Sequence, residues 1–219
     1  MFNPLFISFE APEGAGKSTQ ARLLKDRLDV AGIPCILTRE PGGSPVAEEL
    51  RAVVLQGDPD RLDPETELLI FTAARRNHLK ETILPALGAG KVVICDRYVG
   101  STHALQGAAG VCPDLINRLH SDMCFGKMPD MTFFLDIDFD LGLRRSLDRL
   151  SGVENAENRF EIMGSSFHRK VYDQFQKQAK SLPGWVTIDA HRSIEDIHED
   201  IWAQTMKKMP QEHVQNKAS

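Results

Sequence analysis

The sequence lacks the cysteine patterns on which disulfide frameworks and zinc sites are built. It contains four cysteines in 219 residues, at positions 35, 95, 112 and 124, and no two of them have Cys-x-x-Cys spacing. Cys35 and Cys95 fall in predicted strands, where free cysteine behaves as a small apolar core residue. We therefore expect neither a disulfide nor a zinc site.

Long apolar runs and an excess of positive charge are also missing. No stretch approaches the roughly 20 apolar residues that span a bilayer, and the N-terminus has no signal-peptide pattern. The net charge is −5 without a long basic run, which disfavours a nucleic-acid partner. The expectation is a cytoplasmic protein that binds neither membranes nor nucleic acid.

The sequence does contain a phosphate-binding pattern near its N-terminus. Residues 6–19 read FISFEAPEGAGKST, which is an apolar run, a loop of small residues and the start of a helix. Backbone N–H groups that converge at a helix N-terminus bind polyphosphate, and Gly14 and Gly16 let the backbone approach it closely. In this pattern Lys17 reaches the β- and γ-phosphates, and the Ser18 hydroxyl ligates Mg²⁺.

The pattern is imperfect at its first position. The motif G-x-x-x-x-G-K-[ST] has glycine where this chain has Ala11, which indicates that the backbone keeps φ below zero there. A chance Gly-Lys-Ser in a turn is the alternative interpretation. The strand pattern before the loop and the helix pattern after it favour the phosphate site.

Strand and helix patterns alternate along the rest of the chain. Strands are expected at 5–9, 35–38, 92–95, 132–135 and 185–188, and helices at 17–30, 44–55, 65–87, 113–123, 140–150, 159–180 and 193–209. This alternation predicts an α/β fold, a five-stranded parallel sheet with helices on both faces. We expect one domain over 1–209 and a disordered tail over 210–219.

Charged residues follow several of the predicted strands. Because ligands bind at the carboxyl ends of parallel strands, Glu10, Arg39, Asp96 and Arg97 are expected beside the phosphate loop. Asp96 is interpreted as a second oxygen ligand for the metal, with a turn cap as the alternative. The forked guanidinium of Arg97 suits a second anion.

Arginines also flank a polar segment at 151–158, namely Arg144, Arg145, Arg149 and Arg159. Phosphoryl transfer between two phosphates gathers negative charge that Mg²⁺, Lys and Arg compensate. A phosphate acceptor needs no strong general base, because it is mostly ionised at pH 7. We interpret 145–160 as a lid that excludes water, with an ordinary surface loop as the alternative.

Taken together, these motifs resemble the bacterial thymidylate kinase family of P-loop nucleoside monophosphate kinases, which make dTDP from dTMP and ATP. The resemblance rests on Glu10 with 13–19, on Arg39-Glu40-Pro41-Gly42-Gly43, on Phe71-Thr72-Ala73-Ala74-Arg75, and on Asp96-Arg97-Tyr98 with Ser101 and Gln106-Gly107. It runs from the first to the fifth strand. It implies a P-loop NTPase fold with strand order 2-3-1-4-5, Mg²⁺-dependent transfer of the ATP γ-phosphoryl group to dTMP, and a homodimer.

The resemblance also implies roles for individual residues. ATP would bind Glu13, Gly14, Ala15, Gly16, Lys17, Ser18 and Thr19, and Mg²⁺ would bind Ser18 and Asp96. Phe71 would stack on the thymine ring and Arg75 would hydrogen-bond the base. The rest of the dTMP site would be Arg97, Arg51 and Arg39 at the phosphate, Tyr98 at the sugar, Glu10 between the two substrates, and Ser101, Thr102 and Gln106 at the base.

One subgroup of the family carries a catalytic arginine in the P-loop. This loop has none, so the chain is similar to the subgroup whose lid supplies it, and Arg149 and Arg159 are the candidates. They would act with Lys17, Arg97 and Glu10. The chain departs from the family at Ala11, usually glycine, and at Leu105, usually tyrosine.

Two alternative functions remain open at the level of sequence. The first is another nucleoside monophosphate kinase or a deoxynucleoside kinase, since one methyl contact separates dTMP from dUMP by only about 1–3 kcal/mol. The second is a GTP-dependent switch. Such switches read guanine with Asn-Lys-x-Asp, whereas Asn216-Lys217 lies in the tail and lacks the aspartate.

Overall fold

The computed structural model describes residues 4–150, 159–160 and 163–209. The strands are β1 (Phe6–Glu10), β2 (Cys35–Arg39), β3 (Val92–Asp96), β4 (Met131–Asp136) and β5 (Trp185–Asp189). The helices are α1 (Lys17–Val30), α2 (Pro45–Leu55), α3 (Pro64–His78), α4 (Leu84–Gly88), α5 (Val99–Ala108), α6 (Pro113–Met123), α7 (Phe139–Leu150), α8 (Ser165–Ser181) and α9 (Ile194–Lys208).

The strands form one parallel sheet in the order β2-β3-β1-β4-β5. The predicted α/β class and the strand order implied by the resemblance are therefore confirmed. Phe9 pairs with Asp96, and Glu10 pairs with Phe134, so neighbouring strands end at a common edge. Because β1 is central, the loop that follows it opens between the ends of β3 and β4.

Apolar layers cover both faces of the sheet. On one face Leu24 and Leu28 of α1 and Ile201 of α9 belong to a fully buried cluster. On the other face Phe6 of β1 packs with Tyr98, the two rings meeting edge to face at 4.9 Å between centroids. Side chains alternate along a strand, so Glu10 has the same parity as Phe6 and projects to the Tyr98 side.

Glycine geometry shapes the loop between β1 and α1. Gly16 has φ 89°, a left-handed conformation that suits glycine, and α1 begins at the next residue. Gly14 has φ 75°, and a Cβ atom placed on it would lie 2.1 Å from the carbonyl oxygen of Gly142. Ala11 is not among the residues with positive φ, which confirms the expectation for that position.

The long helix predicted over 65–87 is interrupted. α3 ends at His78, a π-helical turn covers Leu79–Ile83, and α4 completes the segment. Pro85 has no backbone N–H to donate to the preceding turn, and its ring crowds the carbonyl four residues earlier. The wider π turn accommodates this defect.

The helix predicted from 159 begins later, since α8 starts at Ser165 and Arg159 and Phe160 lie in a turn. Residues 151–158 of the predicted lid and the whole predicted tail lie outside the described residues, so the domain limits stay predictions. Over 4–150, 159–160 and 163–209, no helix has both the length and the apolar character needed to cross a membrane.

The core position Phe133 offers a test of this packing. Its side chain is fully buried in β4, with its ring 5.3 Å from that of Phe9. Phe133→Ala is expected to lower the free energy of unfolding by about 3–5 kcal/mol, because it leaves a cavity in a close-packed layer. Urea denaturation measures this loss. Val30→Ala, at a position 90% exposed, is the control, with an expected change within about 0.5 kcal/mol.

Candidate active site

A cavity of about 300 Å³ opens at the carboxyl edge of the sheet. The phosphate loop forms one end of it, and residues of α2, α3 and α5 form the other. It is lined by Glu13, Gly14, Gly16, Lys17, Ser18, Thr19, Arg39, Glu40, Pro41, Arg51, Leu55, Phe71, Arg75, Asp96, Arg97, Tyr98, Ser101, Thr102, Leu105, Gln106 and Phe160. The fold thus brings together nearly all of the residues that the sequence nominated for two substrates.

Lys17 is buried inside the phosphate loop. Its Nζ atom donates to the Pro12 carbonyl oxygen at 2.8 Å and lies 3.9 Å from Glu13 Oε2. Burial lowers the pKa of Lys17 to about 8, and the positive charge of Arg97 adds to this effect. A polyphosphate in the loop would favour the charged ammonium, because opposite charges stabilise each other.

Ser18 and Asp96, which the sequence suggested as oxygen ligands for a metal, lie in contact. The Ser18 hydroxyl donates to Asp96 Oδ2 across the gap between α1 and β3. Among the described residues there is no group of three or more His, Cys, Asp or Glu side chains arranged to hold a metal. One hydroxyl and one carboxylate nevertheless fit Mg²⁺, which takes few protein ligands and keeps waters or substrate phosphates.

Arg97 lines the cavity beside the phosphate loop. It has φ 70°, an unusual conformation for a residue with a side chain, directly after β3. Its guanidinium donates to the Ala11 carbonyl oxygen at 3.1 Å and to Ser101 Oγ at 2.8 Å, and it forms an ion pair with Glu13. This pair ties the phosphate loop to the turn after β3. The sequence patterns did not indicate an ion pair between Glu13 and Arg97.

Glu10 lies behind the cavity instead of lining it. Its carboxylate accepts hydrogen bonds from the Tyr98 backbone N–H at 2.9 Å and from Ser101 Oγ at 2.6 Å. Burial raises the pKa of Glu10 to about 7, although these bonds and Arg97 oppose the shift. In this position Glu10 supports the turn that carries Arg97. A direct contact between Glu10 and a substrate stays a prediction.

A buried ion pair fixes Arg75. Its Nε donates to Glu40 Oε2 at 2.7 Å, and its Nη2 donates to Thr102 Oγ1 at 2.8 Å. The other Glu40 oxygen lies 3.1 Å from His78 Nδ1. Burial by itself would raise the pKa of Glu40, but Arg75 and His78 bring it below its ordinary value. The guanidinium therefore has a set orientation before any ligand binds.

The end of the cavity opposite the phosphate loop is largely apolar. Phe71 and Phe160 have ring centroids 6.1 Å apart, and both rings contribute to the cavity wall with Leu105. This placement favours the interpretation of Phe71 as a wall of the ligand site over that of a core residue. Tyr98 also lines the cavity, and its hydroxyl donates to the Lys127 carbonyl oxygen at 2.8 Å. The sequence patterns did not indicate Phe160.

The remaining arginines take different positions. Arg51 donates to the Pro41 carbonyl oxygen at 2.8 Å, and Arg39 pairs with Glu48 at 3.1 Å on the cavity rim. Arg159 is buried in an ion pair with Glu67 and does not line the cavity. The side chain of Arg149 lies outside the described residues. A contact of either lid candidate with the transferred phosphoryl group stays a prediction.

The pH dependence of stability tests the burial of Glu10. Because the folded-state pKa of about 7 exceeds the ordinary value of 4.5, the folded state binds more protons between these pH values. The free energy of unfolding should therefore fall as pH rises through this window, by at most roughly 3 kcal/mol.

Glu10→Gln is expected to remove this part of the pH dependence. Its altered hydrogen bonds should also change the free energy of unfolding by the same amount at every pH. Chemical denaturation at pH 5, 6, 7 and 8 compares the two proteins. Glu65→Gln, at an exposed carboxylate on α3, is the control and should follow the wild type. Parallel curves for wild type and Glu10→Gln would contradict the shifted pKa.

Comparison with known proteins places this site in a family. A family model described as thymidylate kinase matches residues 9–201. The thymidylate kinase of Ruegeria pomeroyi is 46% identical over 199 residues, covering 90% of this chain and 92% of that protein. Those of Dinoroseobacter shibae and Geotalea uraniireducens are 47% and 41% identical, covering 90% and 93% of this chain and 94% and 97% of theirs. The chain therefore belongs to the thymidylate kinase family.

Proposed function

We propose that the protein transfers the γ-phosphoryl group of ATP to dTMP, giving dTDP. The observation that carries this proposal is one cavity with two neighbouring cationic positions and an apolar part beyond them. The cationic positions are Lys17 within the phosphate loop, which we call the donor end, and Arg97 beside it, which we call the acceptor end. Two anions bound there would meet tail to tail. Membership of the thymidylate kinase family supports this assignment.

The donor end suits the phosphates of ATP. The backbone of Gly14, Ala15 and Gly16 can cradle them, and Lys17 can neutralise charge that develops on the transferred group. Glu13 and Thr19 would complete the contacts. Ser18 and Asp96 would hold Mg²⁺, which when bound would compensate the negative charge of the phosphates.

The acceptor end suits a monophosphate. Hydrogen bonds to Ser101, Ala11 and Glu13 hold the Arg97 guanidinium in place. We propose that its remaining N–H groups bind the dTMP phosphate together with Arg51 and Arg39. The acceptor oxygen is ionised near neutral pH, so no side chain has to remove a proton. Arg97 is thus a catalytic residue that both binds the acceptor and compensates charge.

The apolar end suits the base and sugar. Phe71 and Phe160 offer aromatic faces for the thymine ring, while Tyr98 closes the side next to the sugar. Arg75, Thr102, Ser101 and Gln106 supply the polar contacts. Arg75 is held by Glu40, so hydrogen bonding to the base costs little further ordering.

We propose that Glu10 contributes through Ser101 and Arg97, and that a lid over 145–160 excludes water during transfer. Arg149 is then the lid residue that reaches the transferred group. Arg159 could do so only if its pairing with Glu67 opened, so we rank it second.

The resemblance further supports a cytoplasmic homodimer with one domain over 1–209. Large apolar side chains are exposed on the neighbouring helices α2 and α3, including Val46, Val53 and Leu69. Such side chains are typical of a surface that a second subunit covers. Analytical ultracentrifugation measures whether the protein is a dimer in solution.

Acceptor specificity tests the assignment. Turnover with ATP is expected to be fastest for dTMP and slower for dUMP by about 10-fold or more, since the methyl group is worth about 1–3 kcal/mol in an apolar pocket. A coupled assay for ADP formation compares dTMP, dUMP, dCMP and dAMP. Faster turnover of any of the other three would favour a different nucleoside monophosphate kinase.

The division of the cavity predicts a split effect for one arginine. Arg97→Ala is expected to raise KM for dTMP by about 100-fold and KM for ATP by less than about threefold, because it removes the acceptor phosphate contact. Steady-state kinetics with each substrate varied measure both constants. Arg118→Ala, at an exposed position on α6, is the control. A larger effect on ATP would reverse the assignment of the two ends.

A further inference from the structure

Glu67 of α3 is a buried carboxylate that the phosphotransfer account leaves without a role. It is 4% exposed and lies one helical turn before Phe71. One of its oxygens accepts from Gln106 Nε2 at 2.6 Å, and the other pairs with Arg159. Arg159 also donates to the carbonyl oxygens of Val54 and Asp58 at 3.3 and 3.2 Å. Three separate segments of the chain therefore meet at this carboxylate, and Arg159 connects it to a fourth.

The carboxylate determines which way the Gln106 amide faces. The two ends of a glutamine amide have nearly the same shape, so hydrogen-bond partners decide the orientation. A carboxylate paired with a guanidinium accepts hydrogen bonds and donates none. The Gln106 NH₂ group must therefore face Glu67, and the amide oxygen must face the opposite way.

The amide oxygen that results is buried and unsatisfied. Gln106 Oε1 has no hydrogen-bond partner among the described residues, and Gln106 itself is fully buried at the cavity wall. An unsatisfied buried acceptor is costly and gains from any N–H that reaches it. The same end of the cavity contains Arg75, whose guanidinium can only donate and has N–H groups beyond those used by Glu40 and Thr102.

We propose that Glu67 is the positioning residue that sets base selection, by holding the Gln106 amide so that its oxygen accepts from a ring N–H. An acceptor and a donor in the wall of one cavity can match the imide edge of thymine or uracil, which has a carbonyl beside an N–H. Cytosine has an amino group beside a bare ring nitrogen, and so places donor against donor and acceptor against acceptor. This inference rests on the proposed dTMP kinase function.

Glu67→Gln tests the proposal, because a neutral amide at position 67 can accept or donate and lets Gln106 turn over. Isothermal titration calorimetry gives Kd for dTMP, dUMP and dCMP. We expect Kd for dTMP and dUMP to rise equally, by about tenfold, the effect of one misdirected hydrogen bond. Kd for dCMP should stay constant or fall, and Kd for an ATP analogue should change less than twofold.

Three results would overturn the proposal. An equal loss for all three monophosphates would make Glu67 a support of the pocket without a part in selection. A larger loss for dTMP than for dUMP would indicate damaged packing around the methyl group. Unchanged affinities would show that Gln106 is oriented by other groups. Glu65→Gln, two residues earlier on the exposed side of α3, is the matched control and should bind like the wild type.

Two further variants keep the test decisive. If Glu67→Gln alone fails to fold, Glu67→Gln with Arg159→Met removes both buried charges and should show the same loss of discrimination. Gln106→Leu alone should reduce the ratio of Kd for dCMP to Kd for dTMP. Combined with Glu67→Gln, it should change this ratio little further, as expected for two residues that act as one unit. Failure of the wild type to phosphorylate dTMP would reject the proposed function by itself, whereas normal turnover with unaltered discrimination would reject the role of Glu67 alone.

Discussion

Arg97 carries a largely buried positive charge where the phosphate loop, β3 and α5 meet. Such a charge is tolerated only when partners surround it, because an unpaired buried ion costs several kcal/mol. Glu13, Ser101 and the Ala11 carbonyl oxygen provide those partners, and Glu10 holds Ser101 from behind. These contacts compensate the charge of Arg97 and hold the phosphate loop against the turn after β3, which sets the geometry of the cavity.

The same arrangement recurs at the base end with different residues. Glu40 holds Arg75, and Glu67 holds Gln106 and Arg159, in each case through buried hydrogen bonds. Side chains that are already oriented lose little freedom when a ligand binds, so more of the binding energy is available for selection and alignment. In phosphoryl transfer, alignment and charge compensation supply most of the catalysis. A site of fixed charges is therefore suited to this chemistry.

The two ends of the cavity also differ in how they compensate charge. The phosphate loop uses backbone N–H groups together with Lys17, whose pKa falls to about 8 in the absence of an anion. The proposed acceptor end would use guanidinium groups, which stay charged at any ordinary pH. The forked guanidinium recognises a phosphate by shape as well as by charge, whereas the loop follows a polyphosphate along its backbone.

Local patterns in the sequence determined the elements of the fold and the phosphate loop, whereas the resemblance to the family implied most of the cavity wall. The apolar runs and the glycines at 14 and 16 were sufficient for the parallel sheet and the phosphate loop, because strand period and left-handed φ are local properties. Two helix boundaries, at 78 and 165, differ from the expectation. The first follows from the local effect of Pro85, and the second from the turn at Arg159, which pairs with the distant Glu67. Only the tertiary structure decided that Glu10 lies behind the cavity and that Glu67 faces Gln106 and Arg159. Those contacts join residues 39 to 92 positions apart, and no local spacing encodes which buried charges will meet.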